Sequence, residues 1–169
     1  MKYSAIKYFC TVNGVGVRTA LFVSGCDLHC KGCFNQSTWG YEQGKELTDD
    51  VLEKILNSID KEYISGLSIL GGEPLAERNL DGVLHVVEEF KKKFGTTKTL
   101  WLWTGRTLDD ALKDDRRKHI LSMCDVVVDG KFELGLANPN LAYRGSENQI
   151  IWSKNADGSF SRSELMDTL

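Results

Sequence analysis

The sequence predicts an α/β fold with a mostly parallel sheet. Strand and helix patterns alternate along most of the chain, and each predicted strand ends in glycine or a small polar residue. No repeat, low-complexity tract or linker interrupts this alternation. With 169 residues, 41% of them hydrophobic, the chain can form one packed core, whereas two domains would each be small. We therefore expect one domain over residues 1–169.

Four strands are predicted from short β-rich or apolar runs that stop at turn residues. They are RTALFVSG (18–25), GLSILGGEP (66–74), KTLWLWTG (98–105) and DVVVDG (125–130). The carboxyl ends of parallel strands share one edge of a sheet, and active sites of parallel α/β folds gather at that edge. The strand-end segments SGC, GGEP, WTG and VDGK should therefore lie close together.

Three helices are predicted between these strands. In the first, apolar residues recur at helical spacing behind Thr48, a suitable N-cap, from Val51 to Ile59. The second runs from about Leu80 to a lysine-rich end at Gly95, and the third covers residues 107–124. From about residue 132 we expect an irregular C-terminal arm with one strand at residues 149–152 and a frayed end.

Composition excludes several classes of function. The chain has 21 Lys and Arg against 24 Asp and Glu, so its formal charge of -3 provides no basic field for a nucleic acid. No apolar run is long enough to span a membrane, and the first residues lack the pattern of a signal peptide. We expect a cytoplasmic protein. Five cysteines in a reducing compartment do not indicate a disulfide framework.

Three of the five cysteines, Cys26, Cys30 and Cys33, follow the first predicted strand in the segment GCDLHCKGCFN. A structural zinc site needs four ligands, which leaves a Cys3His site with His29 as one alternative. A [4Fe-4S] cluster can be held by three thiolates, which leaves its fourth iron free for chemistry. An ordinary electron carrier closes its cluster with a fourth cysteine, and the sequence leaves Cys10 and Cys124 open for that role.

The combination of motifs resembles the radical S-adenosylmethionine superfamily, because a C-x3-C-x2-C loop on one strand end is followed by GGEP on the next. Within it, NGVGVR (13–18) is similar to the N/D-G-P-G-x-R stretch of glycyl radical enzyme activases, with Val15 in place of proline. GCFN (32–35), DVVVDGKFE and RGSENQ (144–149) resemble the branch that activates the anaerobic ribonucleoside-triphosphate reductase. The resemblance covers most of residues 10–152.

This resemblance implies an incomplete (βα) barrel, and a closed eight-unit barrel of roughly 250 residues would not fit the chain. It implies a [4Fe-4S] cluster on Cys26, Cys30 and Cys33, with the amino and carboxylate groups of S-adenosylmethionine on the fourth iron. The implied reaction is reductive cleavage of S-adenosylmethionine and removal of a Cα hydrogen from one glycine of the large reductase. A low-potential electron donor such as flavodoxin is also implied.

The resemblance further suggests which residues contact the cofactor. The GGE motif of Gly71, Gly72 and Glu73 would accept hydrogen bonds from the cofactor's ammonium. Without the cysteine loop, a plain strand-ending turn would be the preferred explanation of Gly-Gly before Glu-Pro. Gly32 and Phe34 would contact the adenine, with a core position as the alternative for Phe34. Later strand ends supply candidates for the ribose or carboxylate: Thr104, Asp129 and Lys131. Asp-Gly-Lys also fits a solvated turn.

Other readings of the sequence remain open at this point. The activase of another glycyl radical enzyme, such as pyruvate formate-lyase, is one, although such relatives are generally longer. A radical enzyme acting on a metabolite and a zinc or electron-transfer module are others. For the partner, residues 132–149 are expected to border the open side of the barrel, with Arg144 and Asn148 contacting the visiting glycine segment. A loop that only covers the sheet edge is the alternative.

Overall fold

The computed structural model describes residues 1–167 and contains one eight-stranded sheet. Residues 168 and 169, the last two of the predicted domain, lie outside the described residues. The strands are β1 (Lys2–Cys10), β2 (Arg18–Val23), β3 (Lys45–Glu46), β4 (Gly66–Gly71), β5 (Thr99–Trp103), β6 (Val126–Asp129), β7 (Ile150–Lys154) and β8 (Phe160–Arg162). Their order across the sheet is β3-β1-β2-β4-β5-β6-β7-β8. The sheet is therefore open, with β3 and β8 at its edges.

The prediction of a mostly parallel sheet is wrong. The four central strands β2, β4, β5 and β6 are parallel, but β1 and β3 on one side and β7 and β8 on the other are antiparallel to their neighbours. Four of the seven pairings are thus antiparallel. The sequence pattern did not reveal β1 because most of its residues are partly or fully exposed, so it lacks the apolar run of a buried strand.

The helices confirm two predictions and correct a third. Helix α1 (Asp49–Ile59) begins behind Thr48, whose hydroxyl accepts a hydrogen bond from the Val51 N–H, and α2 (Leu80–Phe94) ends at Gly95. The single helix predicted over 107–124 is instead two helices, α3 (Leu108–Leu112) and α4 (Asp115–Ser122). The helix breaks because the Asp114 carboxylate accepts from the Arg117 N–H and caps a new helix.

All four helices pack on one face of the sheet. Alternate strand residues such as Leu21, Ile69 and Leu102 form the main core with them. The intervening residues of the same strands, such as Phe22 and Trp103, lie on the opposite face, which carries none of the four helices. No helix among the described residues is long and apolar enough to cross a membrane. The helix-free face is the one available for a binding site.

The C-terminal region is more ordered than its composition predicts. The strand expected at residues 149–152 is confirmed as β7, which pairs with β6, but the frayed end beyond it is wrong as far as residue 167. There β8 pairs with β7, and Met166 is buried against Trp101 and Val128. Between β6 and β7 the chain is irregular, apart from a 3-10 helix at Leu134–Leu136 and a bridge between Ala137 and Ser146.

Candidate functional site

A cavity of about 360 Å³ opens on the helix-free face, at the carboxyl ends of the parallel strands. This size lies within the range of small-molecule sites. Eight of the predicted site residues line it: Cys26, Cys30, Cys33, Phe34, Gly71, Gly72, Glu73 and Thr104. The expected convergence of the strand ends is therefore present. Gly32, Asp129 and Lys131 do not belong to the lining.

The cysteines lie in a loop held mainly by its own backbone. The Gly25 N–H donates to the Thr38 carbonyl and the Cys26 N–H to the Trp39 carbonyl, which attach the start of the loop to residues that follow it. Backbone N–H groups also point at two of the sulfur atoms, from Leu28 to Cys26 Sγ at 3.4 Å and from Asn35 to Cys33 Sγ at 3.3 Å. Such donors stabilise a thiolate.

All three thiols are free and half-buried. Zinc holds each thiolate at about 2.3 Å, so its ligands must crowd together, whereas three thiolates of a cluster bind three different irons. Within residues 1–167, no three His, Cys, Asp or Glu side chains converge as one ion requires. His29 stacks on Trp39 with ring centroids 4.4 Å apart, so it is held as an aromatic contact. Burial raises the pKa of the Cys26 thiol, so metal binding must displace its proton.

Glu73 is the most buried polar group of the cavity, with 2% of its surface exposed. Its carboxylate accepts hydrogen bonds from Leu75 N at 2.8 Å, Thr104 Oγ1 at 2.8 Å and Gly105 N at 2.6 Å. Burial raises its pKa, although these donors and Arg106 oppose that shift. Glu73 thereby joins the end of β4 to the loop after β5, and most of its acceptor capacity is used by the protein.

The two glycines of the GGE motif are required by close approach within the chain. Gly71 has φ 121°, and a Cβ there would meet the backbone of Val23 on the adjacent strand. A Cβ on Gly72 would meet the Gly25 carbonyl oxygen, and the Glu73 N–H donates to that same oxygen at 2.7 Å. These glycines let the GGE turn lie directly against the start of the cysteine loop.

The predicted residues outside the cavity have other surroundings. The Asp129 carboxylate accepts from the Leu108 N–H at 2.6 Å and so stabilises the start of α3, and burial raises its pKa. Lys131 is exposed, and its carbonyl accepts from the Asn148 amide. Gly32 lies beneath Leu134, which would contact any Cβ at that position. Asp129 thus has a capping contact that the Asp-Gly-Lys turn pattern does not show.

Two arginines that were not among the predicted site residues connect separate segments of the chain, although neither lines the cavity. Arg106, after β5, forms an ion pair with Asp27 in the cysteine loop. Arg18, the last residue of NGVGVR, is fully buried and donates to Val15, Leu67 and Thr99 carbonyls and to two hydroxyls. Desolvation lowers its pKa to about 10. The NGVGVR motif was the signal for Arg18, whereas no local pattern indicated Arg106.

The RGSENQ segment forms a compact turn beside the cavity. Gln149 Oε1 accepts from the N–H groups of Gly145 and Ser146, and its Nε2 donates to the Gly130 carbonyl. Arg144 lines the cavity and donates to the Gln149 carbonyl, but its buried Nε has no hydrogen-bond partner among the described residues. It also forms no ion pair there, and desolvation and nearby Arg162 lower its pKa. Arg144 is thus a cation available to an anionic group in the cavity.

The structure is that of an α/β protein with a three-cysteine loop beside a cavity. The model of the 4Fe-4S single cluster domain family matches residues 12–152, so the chain belongs to that family of iron-sulfur proteins. The matched range includes the three loop cysteines and the GGE motif.

More specific relatives share nearly the whole chain. It is 43% identical over 153 residues to the anaerobic ribonucleoside-triphosphate reductase-activating protein of Vibrio cholerae, covering 89% of this chain and 97% of the relative. The protein of that name from Enterobacteria phage T4 is 39% identical, covering 94% and 97%, and that from Escherichia coli K12 is 37% identical, covering 83% and 90%. The chain therefore belongs to the family of these activating proteins, which confirms the resemblance.

Proposed function

We propose that this chain activates an anaerobic ribonucleoside-triphosphate reductase by reductive cleavage of S-adenosylmethionine. One electron breaks the sulfonium bond to the adenosyl carbon, which releases methionine and a 5'-deoxyadenosyl radical. That radical takes a Cα hydrogen from one reductase glycine, giving 5'-deoxyadenosine and a glycyl radical. The observation that carries the proposal is the meeting of three loop thiols and the GGE turn in one cavity, in a chain whose relatives bear the activating name.

Cys26, Cys30 and Cys33 are proposed as the three ligands of a [4Fe-4S] cluster whose fourth iron binds the cofactor. When bound, the cluster supplies the electron for bond cleavage. The chain's own part is orientation and exclusion of water. The N–H groups aimed at two sulfur atoms help to orient the half-buried cysteines. The apolar cavity wall helps to exclude water, and it is formed by Leu28, Leu70 and Trp103.

The overall architecture supports an incomplete barrel of the radical S-adenosylmethionine type. Its four parallel strands are contiguous, and the helices cover only the outer face. The cavity lies on the other face, and the sheet does not close on itself. An open side is what a protein substrate requires, because hydrogen abstraction by a carbon radical needs contact with the target glycine.

We assign the cofactor-binding surface to the lining of this cavity. The remaining acceptor capacity of Glu73 and the backbone of Gly71 and Gly72 would accept hydrogen bonds from the ammonium. Phe34, which is 77% exposed, would be available to the adenine or to the partner. Thr104 acts mainly through Glu73. A low-potential donor such as flavodoxin is proposed to deliver the electron.

An anaerobic reconstitution tests the proposal. The chain is loaded with iron and sulfide, reduced, and mixed with S-adenosylmethionine and the reductase. We expect a glycyl radical signal in electron paramagnetic resonance and release of 5'-deoxyadenosine. If a radical forms on pyruvate formate-lyase but not on the reductase, the partner is wrong, and if a zinc protein with no cofactor cleavage results, the proposal is wrong altogether.

A further inference from the structure

The cysteine loop, residues 26–34, has few polar links to the rest of the molecule. Within residues 1–167, its side-chain hydrogen bonds to segments beyond residue 39 are those between Asp27 and Arg106. Arg106 Nη1 lies 3.2 Å from Asp27 Oδ1, and Nη2 lies 2.5 Å from Oδ2. These two parallel bonds form the bidentate geometry that gives arginine–carboxylate pairs their strength and direction.

Arg106 is itself fixed to the strand ends. Its N–H donates to Thr104 Oγ1 at 3.1 Å, and its carbonyl accepts from the Gly130 N–H. Its Nη1 also lies 3.7 Å from the buried Glu73 carboxylate, and only 18% of its side chain is exposed. Asp27 and Arg106 therefore connect the cysteine loop to the same network that holds the GGE turn.

The loop needs such a connection because its backbone is irregular. Residues 26–34 contain no helix or strand, and His29 and Gly32 both have positive φ. Ordering an irregular segment costs conformational entropy, and a contact that already restrains the segment lowers the cost of binding. Asp27, directly after Cys26, is well placed to restrain the first cluster ligand.

We propose that Asp27 and Arg106 are positioning residues, which hold the cysteine loop against the GGE turn and so set where the cluster lies relative to Glu73. The inference rests on the cluster of the proposed function. Asp27 and Arg106 bind no iron in this account and act through Cys26. Their removal should weaken retention of the cluster while leaving its three thiolate ligands in place.

The test is the rate at which a chelator removes iron from the reconstituted protein, followed anaerobically by absorbance. Asp27→Ala and Arg106→Ala should each accelerate release about five-fold or more, and the double variant should be no faster than Arg106→Ala alone, because both substitutions remove the same Asp27–Arg106 pair. Asp27→Glu should restore most of the retention. Release from the unaltered chain should also quicken with salt, whereas release from the variants should not, since salt screens a partly exposed pair.

Asp81→Ala is the matched control, since it removes a carboxylate that pairs with Arg116 away from the cavity. It should leave iron release unchanged. The inference would be overturned if the two substitutions increased the rate of iron release additively in the double variant. It would also be overturned if Asp27→Ala released iron at the rate of the unaltered chain. If Arg106→Ala does not fold, the Asp27 variants and the salt series decide it alone. If the unaltered chain assembles no cluster, the proposed function fails first and this inference with it.

Discussion

The five cysteines differ in surroundings as much as in spacing. Cys10 and Cys124 are buried, and Cys124 packs in the main core while its thiol donates to the Ile120 carbonyl. Burial raises the pKa of Cys124 to about 12, so it stays protonated at neutral pH. The loop cysteines, in contrast, border an open cavity. Buried cysteine here packs as a small hydrophobic residue.

Replacing Cys26, Cys30 or Cys33 with Ala should abolish assembly of a stable cluster, because each removes one of three ligands. Iron and sulfide content after anaerobic reconstitution measures the effect. Cys10→Ala and Cys124→Ala should keep the full iron content, with some loss of thermal stability. A Cys124→Ala protein that folds but holds no iron would contradict the three-thiolate assignment.

Glu73 is expected to matter for folding as well as for the cofactor. Glu73→Ala leaves the N–H groups of Leu75 and Gly105 without their buried acceptor, at about 1–3 kcal/mol for each such group. We expect the free energy of unfolding of the iron-free chain to fall by about 3 kcal/mol in a denaturant titration. Thr104→Val, which removes one donor of the same network, should cost less. Equal stability of Glu73→Ala and the unaltered chain would refute the network's structural role.

At the scale of elements, the β7–β8 hairpin is more important for packing than the composition of the C-terminal region suggests. Its strands add two antiparallel pairings to the parallel centre, and Met166 after it accepts a hydrogen bond from Ile151 N at Sδ. Met166 is buried with Trp101 and Val128 on the face that carries the cavity. The hairpin thus contributes to the apolar packing of that face.

Met166→Ala should lower the free energy of unfolding by about 2 kcal/mol or more, because it removes a buried side chain from a packed cluster. Glu164→Ala, an exposed position in the same C-terminal 3-10 helix, is the control and should change stability little. Thermal unfolding of both variants makes the comparison. If the two variants unfolded at the same temperature, the segment after β8 would be frayed, as the sequence predicted.

Considered as a whole, the molecule places a cation at the mouth of its cavity without a carboxylate partner in the described chain. Arg144 belongs to the segment between β6 and β7, whose neighbouring apolar residues Leu134 and Leu136 are exposed. This segment and Phe34, which packs on Phe132, border the open side together. If a reductase glycine enters this cavity, as we propose, Arg144 and Phe34 are available to contact it.

Arg144→Ala should therefore lower the yield of glycyl radical while leaving cleavage of S-adenosylmethionine in the absence of the reductase nearly intact. The two are measured by electron paramagnetic resonance and by release of 5'-deoxyadenosine. Lys54→Ala, which removes an exposed cation on α1 outside the cavity lining, is the control. Equal loss of both activities in Arg144→Ala would instead assign the guanidinium to the cofactor's carboxylate.

The sequence by itself determined the local features of this protein. Cysteine spacing, the GGE motif, the Thr48 cap and the central strands are encoded within a few residues, so patterns of spacing and hydrophobicity reveal them. Because the central strands are parallel, their carboxyl ends share one edge of the sheet. The sequence therefore also predicted that Cys26, Glu73 and Thr104, which follow three of these strands, would lie close together.

Only the tertiary structure decided the contacts between distant segments. Asp27 and Arg106 are 79 positions apart, and β1 pairs antiparallel with β2 although its half-exposed residues carry no clear strand pattern. Asp129, a strand-end carboxylate like Glu73, faces the start of α3 instead of the cavity. Such outcomes depend on strand register and on how loops pack across the sheet, and neither is encoded in a short stretch of sequence.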